Sequence, residues 1–473
     1  MPVKVKALPD EPLMPNRAFP PGFVWGAATA SYQIEGAALA DGRGESIWDR
    51  FSHTPGKVRD GDTGDVACDH YHRYREDVAI MAELGLDAYR FSVSWPRVIP
   101  GGTGAVNPAG LDFYDRLVDE LLAHGIDPHV TLYHWDLPQA LEDAGGWPVR
   151  SITSAFADYA GVVAARLGDR VGHFATFNEP YIVSDHGYRI GIHAPGRTEP
   201  EAALATAHHL LVAHALGVQA IRAAAPRAAA GIVLNFEPMH PATSHMLDVE
   251  AAIVAHDQLN RWFLDPITGH GYPEDGARAW GWKCGEIRAG DMELIASPID
   301  FLGVNYYSVA TVRSPLLPRL DAPRRAPERT GMGWTVRPEG LVEVLEFAAS
   351  RTGTLPLFVT ENGAAYPVND DLARDPERVS FLHRHLDAAL TAIDRGVPLA
   401  GYFVWSLLDN FEWTHGYAHR FGIVHVDYGT QERIVRDSGR FLAAVARQGL
   451  PPIEPADAVE SAPGTGSGIR PGQ

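Results

Sequence analysis

Eight short apolar runs recur along the chain, and amphipathic stretches fill the gaps between them. The runs are FVWGAATAS (23–31), AYRFSVSW (88–95), DPHVTLYHW (127–135), HFATFNEP (173–180), AGIVLNFEP (230–238), FLGVNYYS (301–308), LPLFVTENG (355–363) and LAGYFVWSLLDN (399–410). Short runs rich in β-branched and aromatic residues read as strands buried on both faces. Between them, LDFYDRLVDELLAHG and RVSFLHRHLDAALTAIDRG carry helical spacing, and the second ends in Arg and Gly, an ordinary helix stop. Strands alternating with helices predict an α/β fold with a parallel sheet, and eight such units close into a (β/α)8 TIM barrel. The rival arrangement, a doubly wound open sheet, usually carries a glycine-rich phosphate turn after its first strand, and this sequence has none. The longer connections after the fifth and sixth strands read as loop elaborations at the mouth of the barrel.

No internal Pro/Gly/Ser-rich linker divides the chain, so its 473 residues read as one domain. We place an N-terminal extension at 1–16, the barrel at 17–450 and a tail at 451–473. The last stretch, EPADAVESAPGTGSGIRPGQ, has the composition of a flexible segment. Net charge is −19 and no Lys/Arg run stands out, which argues against nucleic acid or an anionic membrane as partner. The Pro-rich start lacks an apolar signal region, and no run reads as long enough to span a bilayer. Cys68 and Cys284 stand far apart in unrelated contexts, neither a disulfide framework nor paired metal ligands, so a reducing cytoplasm is the default.

Most of the strands are apolar early and polar late. Their C-terminal ends carry Gln33 and Glu35; His134, Trp135 and Asp136; Asn178 and Glu179; Asn235 and Glu237; Asn305, Tyr306 and Tyr307; Glu361 and Asn362; and Trp405, with Glu412 and Trp413 just beyond. Arg90 lies earlier in its strand. A carboxylate and an amide ending one strand are punctuation. Polar groups at the same end of strand after strand build a pocket, because those ends converge on one face of a barrel.

That pocket would hold carboxylates, amides, one His and many aromatics. The histidines are scattered, and no pair falls in a recognisable ligand spacing with a carboxylate, so no metal is expected. HHLLVAH (208–214) does not bring its imidazoles onto one helical face and reads as a core or surface helix. Phosphate loops and a Gly-x-Ser-x-Gly elbow are missing. Amides and carboxylates grip hydroxyl groups, aromatic faces cover sugar rings, and two carboxylates are the minimum for cleaving a glycosidic bond.

These motifs resemble glycoside hydrolase family 1, the family of many β-glucosidases. TFNEP is similar to its acid/base motif and VTENG to its nucleophile motif. YRFSVSWPR, YHWDLP, DFLGVNYYS and SLLDNFEW resemble further signatures, in the family's order. The resemblance runs over nearly the whole chain. It implies a barrel and a retaining, cofactor-free exo-hydrolase acting on terminal β-glucosyl residues of small β-glucosides and short β-linked oligosaccharides. It leaves open galactosidase or fucosidase side activity, transglycosylation and homo-oligomerisation.

The resemblance also implies roles. Glu179 would be general acid, then general base, and Glu361 the nucleophile. Arg90, Asn305 and Tyr307 would hold the nucleophile and the neighbouring hydroxyl. Asn178 would bind the sugar 2-OH. Gln33, His134, Glu412 and Trp413 would hold the other hydroxyls, with Trp135 and Phe421 completing the substrate-binding set. Trp405 would floor the sugar site, and Trp334 would line the aglycone entrance. Tyr306 reads as core, Glu237 as a supporting or loop residue, and Asp136 and Asp409 as groups that orient backbone or loops.

Three alternatives follow from the same resemblance. A branch acting on 6-phosphoglycosides has a serine, a lysine and a tyrosine where this chain has Glu412, His419 and Phe421, and a carboxylate there would repel phosphate. Thioglucosidases replace the acid/base Glu by Gln, whereas Glu179 is present. A sugar-binding relative without catalysis would lack a catalytic Glu, and both are intact.

Overall fold

The computed structural model describes residues 16–282, 287–320 and 326–452. Eight parallel strands form a closed barrel. They are β1 (Val24–Ala28), β2 (Ala88–Ser92), β3 (Asp127–Tyr133), β4 (His173–Asn178), β5 (Ala229–Phe236), β6 (Phe301–Tyr306), β7 (Leu357–Asn362) and β8 (Leu399–Trp405). Each strand pairs with its sequence neighbours, and β1 closes the ring on β8. All eight apolar runs become strands. Each ladder stops before its run does, because the polar tails turn away from it into the mouth.

Helices shield the outside of the barrel. The two amphipathic segments become the helices Pro108–Ala123 and Pro376–Asp394. HHLLVAH lies within the helix Pro200–Ala224, and its three histidines serve separate buried contacts. His208 meets Tyr272 and Asp291, His209 meets the Trp147 carbonyl, and His214 meets Thr176 of β4. By length and composition this 25-residue helix could cross a membrane, which the sequence does not suggest. Its apolar character has a packing cause: 72% of its most apolar window is buried inside the fold.

The connections after β5 and β6 are long, as expected. They are tied together by a small parallel pair, Met239–Pro241 with Ala310–Val312. Cys284 and residues 453–473 of the tail lie outside the described residues.

Beside a register shift at Leu399–Gly401 of β8, two strands break the strict in-out alternation of a barrel close to the cavity. Along β4, Ala175 pairs with Gly231 but Asn178 with Val233, so β4 holds one extra residue. Along β7, Val359 pairs with Val304 but Glu361 with Asn305, again one extra residue. A bulge of this kind re-aims the side chains that follow it. In β4, Thr176 and Phe177 both face outward, to His214 and to Phe156, and Asn178 then points inward. In β7, Thr360 and Glu361 both face inward, to Asn305 and to Arg90.

The opposite end of the barrel is plugged by packed rings: His129 and His173 stack on each other, and Phe301, Phe358 and Phe403 meet them edge-on or tilted. Gly26 makes room for them, since a Cβ there would lie 2.3 Å from the Phe403 ring.

Candidate active site

The strand ends open onto a cavity of about 490 Å³. Among its lining residues are Glu179, Glu361, His134, Trp405, Glu412 and Trp413. Trp135, Asn305, Tyr307, Trp334 and Phe421 line it too, so most of the residues singled out in the sequence meet here. Gln33, Arg90 and Asn178 stand just behind that lining, fully or almost fully buried.

Arg90 is the hub. Its Nη1 donates to Glu361 Oε1 at 2.7 Å, its Nη2 to Asn178 Oδ1 at 2.7 Å, and its Nε to Thr131 at 3.1 Å. The Tyr307 hydroxyl donates to the other oxygen of Glu361 at 2.7 Å. Both Glu361 oxygens therefore accept hydrogen bonds, one from a guanidinium and one from a phenol. Burial and then the charge of Glu361 push the Tyr307 phenol well up, so it keeps its proton and donates.

Glu179 has other surroundings. Its one hydrogen-bond donor is Asn305 Nδ2, at 2.7 Å. Asn305 therefore serves the acid and Asn178 rather than touching Glu361, and Thr360 fixes it by donating to Oδ1 at 2.7 Å. The Glu179 carboxyl is pushed up to about 8. Burial is the larger cause and the charge of Glu361 the second. Two carboxyls thus share one cavity in opposite environments, one braced as an anion and one held as an acid.

Five buried polar atoms around the cavity have no hydrogen-bond partner among the described residues: Gln33 Oε1, His134 Nδ1 and Glu412 Oε2 deep in it, and His186 Nδ1 and His193 Nδ1 in its outer part. The Gln33 amide is aimed by donating to Asn410 Oδ1 at 3.0 Å and to the Phe411 carbonyl at 2.8 Å. His134 Nε2 accepts from Asn178 Nδ2 at 3.1 Å, which leaves Nδ1–H as the free donor. Burial and then Arg90 hold that imidazole neutral, with its pKa well below the ordinary value. Buried orphan groups are costly, so a surface that collects them is built for a ligand that satisfies them.

Aromatic rings form the walls. Trp405 and Trp413 each lie near-parallel to His134, at centroid distances of 5.8 and 6.0 Å. Trp334 contacts Tyr307 and Phe421, at 5.2 and 6.0 Å. Trp135, Glu179 and Trp413 all adopt positive φ (77°, 47° and 49°). Side-chain-bearing residues avoid that region, and such strain gathers at sites that need a fixed geometry. Trp135 is anchored by donating from Nε1 to the Asn178 carbonyl at 2.9 Å.

The residues read as supporting also find their places. Tyr306 is buried and donates to the Arg337 carbonyl. Asp136 accepts from Ser31 at 2.8 Å, and Asp409 accepts from Arg436 at 2.8 and 2.9 Å and from the Gly422 amide at 3.0 Å. Glu237 is half-buried and lines the cavity directly. Missed from the sequence were Tyr181, Ile182, His186, Ile192, His193 and Met332 of the outer cavity. Tyr181, Ile182 and His186 lie in the short helical turns after β4 and the others in loops, all too short to carry a periodic signal.

The model of the family "Glycosyl hydrolase family 1" matches residues 15–449. Beta-glucosidase A of Thermotoga maritima is 48% identical over 441 residues, covering 91% of this chain and 98% of that protein. The bifunctional beta-D-glucosidase/beta-D-fucosidase of Bifidobacterium breve is 44% identical over 453 residues, covering 89% and 96%. The solved Thermotoga maritima beta-glucosidase in complex with glucoimidazole superposes with a TM-score of 0.88 at 47% identity, over 92% of this chain and 100% of that one. With the barrel, the paired carboxyls and nearly the whole length in agreement, this chain belongs to glycosyl hydrolase family 1.

Proposed function

We propose that this protein is a retaining exo-β-glucosidase that releases the terminal non-reducing glucosyl residue from small β-glucosides and short β-linked oligosaccharides. The carrying observation is the contrast between Glu361, braced by Arg90 and Tyr307, and Glu179, buried and protonated in the same cavity. In the first step Glu361 attacks the anomeric carbon while Glu179 gives its proton to the departing glycosidic oxygen. The C–O bond breaks and a glycosyl ester forms on Glu361. That ester removes the charge that helps raise Glu179, so Glu179 becomes a better base. It then takes a proton from water, which attacks the same carbon and frees Glu361. Two inversions return the β configuration.

The exo mode rests on the orphan atoms of Gln33, His134 and Glu412, which would saturate the hydroxyls of one terminal sugar. The name of the Bifidobacterium breve relative supports fucosidase side activity here. The cytoplasm remains our inferred location, supported by the buried free thiol of Cys68. Hydrolysis of a chromogenic β-glucoside tests the activity, and Glu361→Gln should abolish it in a folded protein. Cellotriose should shorten from its non-reducing end, and random mid-chain cleavage of a long β-glucan would sink the exo reading.

A further inference from the structure

Past the end of β5 stands a carboxylate that the reaction does not use. Asn235 of β5 pairs in register with Asn305, whose amide holds the acid Glu179. The Glu179 amide is itself tied to β5, donating to the Val233 carbonyl at 2.9 Å. Glu237 follows two residues after Asn235, and both line the cavity, as strand alternation requires. At strand spacing Glu237 stands roughly 7 Å further toward the mouth. The departing oxygen lies at Glu179, so the leaving group extends outward along this wall.

The platform under Glu237 is fixed. The amide of buried Asn260 clamps its backbone from both sides: Oδ1 accepts from the Glu237 N–H at 3.0 Å, and Nδ2 donates to the Glu237 carbonyl at 2.8 Å. The next carbonyl, that of Pro238, accepts from the Ala310 N–H at 2.9 Å. Its half-buried carboxyl faces the cavity, and burial pushes it up from the ordinary value. Among the described residues no Lys or Arg lines the cavity. Of the outer imidazoles, His186 faces Asp185 at 3.3 Å, and burial holds His193 and His415 low.

We propose that Glu237 is a specificity-determining residue for the leaving group: its carboxylate favours aglycones that carry hydrogen-bond donors, protonated amines above all and sugar hydroxyls next, and disfavours anionic ones. The inference rests on the β-glucosidase reading and names the leaving groups that reading leaves open. Trp334 and Met332 line the same cavity and cover an aryl or a sugar ring alike, so they do not discriminate by charge. A carboxylate does, because its charge-assisted hydrogen bonds are about twice as strong as neutral ones. An anion would meet like charge in a partly desolvated space, where repulsion is poorly screened. An ordinary rim carboxylate stands in water beside Lys or Arg, whereas this one is held rigidly against the cavity with no cation to answer it.

Two aryl β-glucosides of equal size, para-(aminomethyl)phenyl and para-carboxyphenyl, test the charge. Their kcat/KM values report the step in which the leaving group departs. At neutral pH the wild type should prefer the cationic substrate by at least about tenfold. Glu237→Gln, which keeps the shape, should bring that ratio close to one, and Glu237→Lys should invert it, which a merely structural role would not do. Cellobiose tests the hydroxyls: relative to para-nitrophenyl β-glucoside, its kcat/KM should fall roughly tenfold in Glu237→Leu. A wild-type protein that turns over none of these glucosides refutes the β-glucosidase reading and this inference with it. A protein that turns over all of them at a ratio near one, or keeps its preference in folded Glu237→Gln, overturns the role of Glu237 alone.

Discussion

Arg90 and Glu361 form an ion pair of 2.7 Å with side chains only 3% and 5% exposed, and the same guanidinium reaches Asn178. One cation thus orients the group proposed to attack the sugar and the amide proposed to hold its 2-OH. Removing one partner of a buried pair leaves an uncompensated charge. Arg90→Met should therefore destabilise the fold by about 3–5 kcal/mol. Adding Glu361→Gln should restore most of that stability and none of the activity. Urea melts of both variants measure the coupling, and an additive result would mean the pair is not what Arg90 stabilises.

The two glutamates are separable by the hand of a product. In Glu179→Ala with a dinitrophenyl glucoside, Glu361 still forms the ester, and azide, which needs no base, should give the β-glucosyl azide. In Glu361→Ala, azide should enter the vacated space and give the α-anomer by one inversion. Proton NMR of the anomeric centre reads the outcome, and exchanged anomers would exchange the roles.

Much of this was legible in the sequence, and for stated reasons. The eight strands announced themselves as apolar runs, and their polar tails announced the mouth. What sequence could not supply was facing and burial. Nothing in TFNEP or VTENG reveals the extra residue in β4 or β7, because a bulge is a property of the pairing. Asn305 was expected beside Glu361, yet it bonds Glu179, since Thr360 across the strand turns its amide that way. The outer cavity depends on short helical turns and loops that carry no periodic signal.

The pH dependence of activity should fall on its alkaline side near pH 8, as Glu179 loses the proton it must donate. The two carboxyls titrate as a pair, so the limb belongs to both. A kcat/KM still rising at pH 9 would contradict the assignment.

Stability should carry the same signature. Burial first, then the charge of Glu361, raises Glu412 from 4.5 to about 8. A folded value above the unfolded one contributes stability that is complete below about 4.5 and lost as pH climbs to about 8. Glu412→Gln cannot ionise, so its denaturation midpoint should fall less than the wild type's between pH 5 and pH 8. Equal declines would show that Glu412 is not the group responsible.

Substrate preference should respond to charge at the same corner. Glu412→Ser with His419→Lys and Phe421→Tyr removes an acid and adds a cation where a 6-phosphate would sit. The kcat/KM ratio of 6-phosphoglucoside to glucoside should rise by at least about tenfold. An unchanged ratio in the folded triple variant would mean the phosphate lands elsewhere.

The extra residues in β4 and β7 make catalysis a matter of parity. A barrel stave with perfect alternation shows every second side chain to the lumen, so its sequence decides only which residue types appear there. One inserted residue shifts the phase of everything downstream, and here it does so just ahead of Asn178–Glu179 and at Glu361. Forcing the same residues into the regular pairing, with none removed, would keep every chemical group and turn Asn178 or Glu361 out of the lumen. Grafting this chemistry onto another barrel therefore means transplanting a miscount along with the two glutamates.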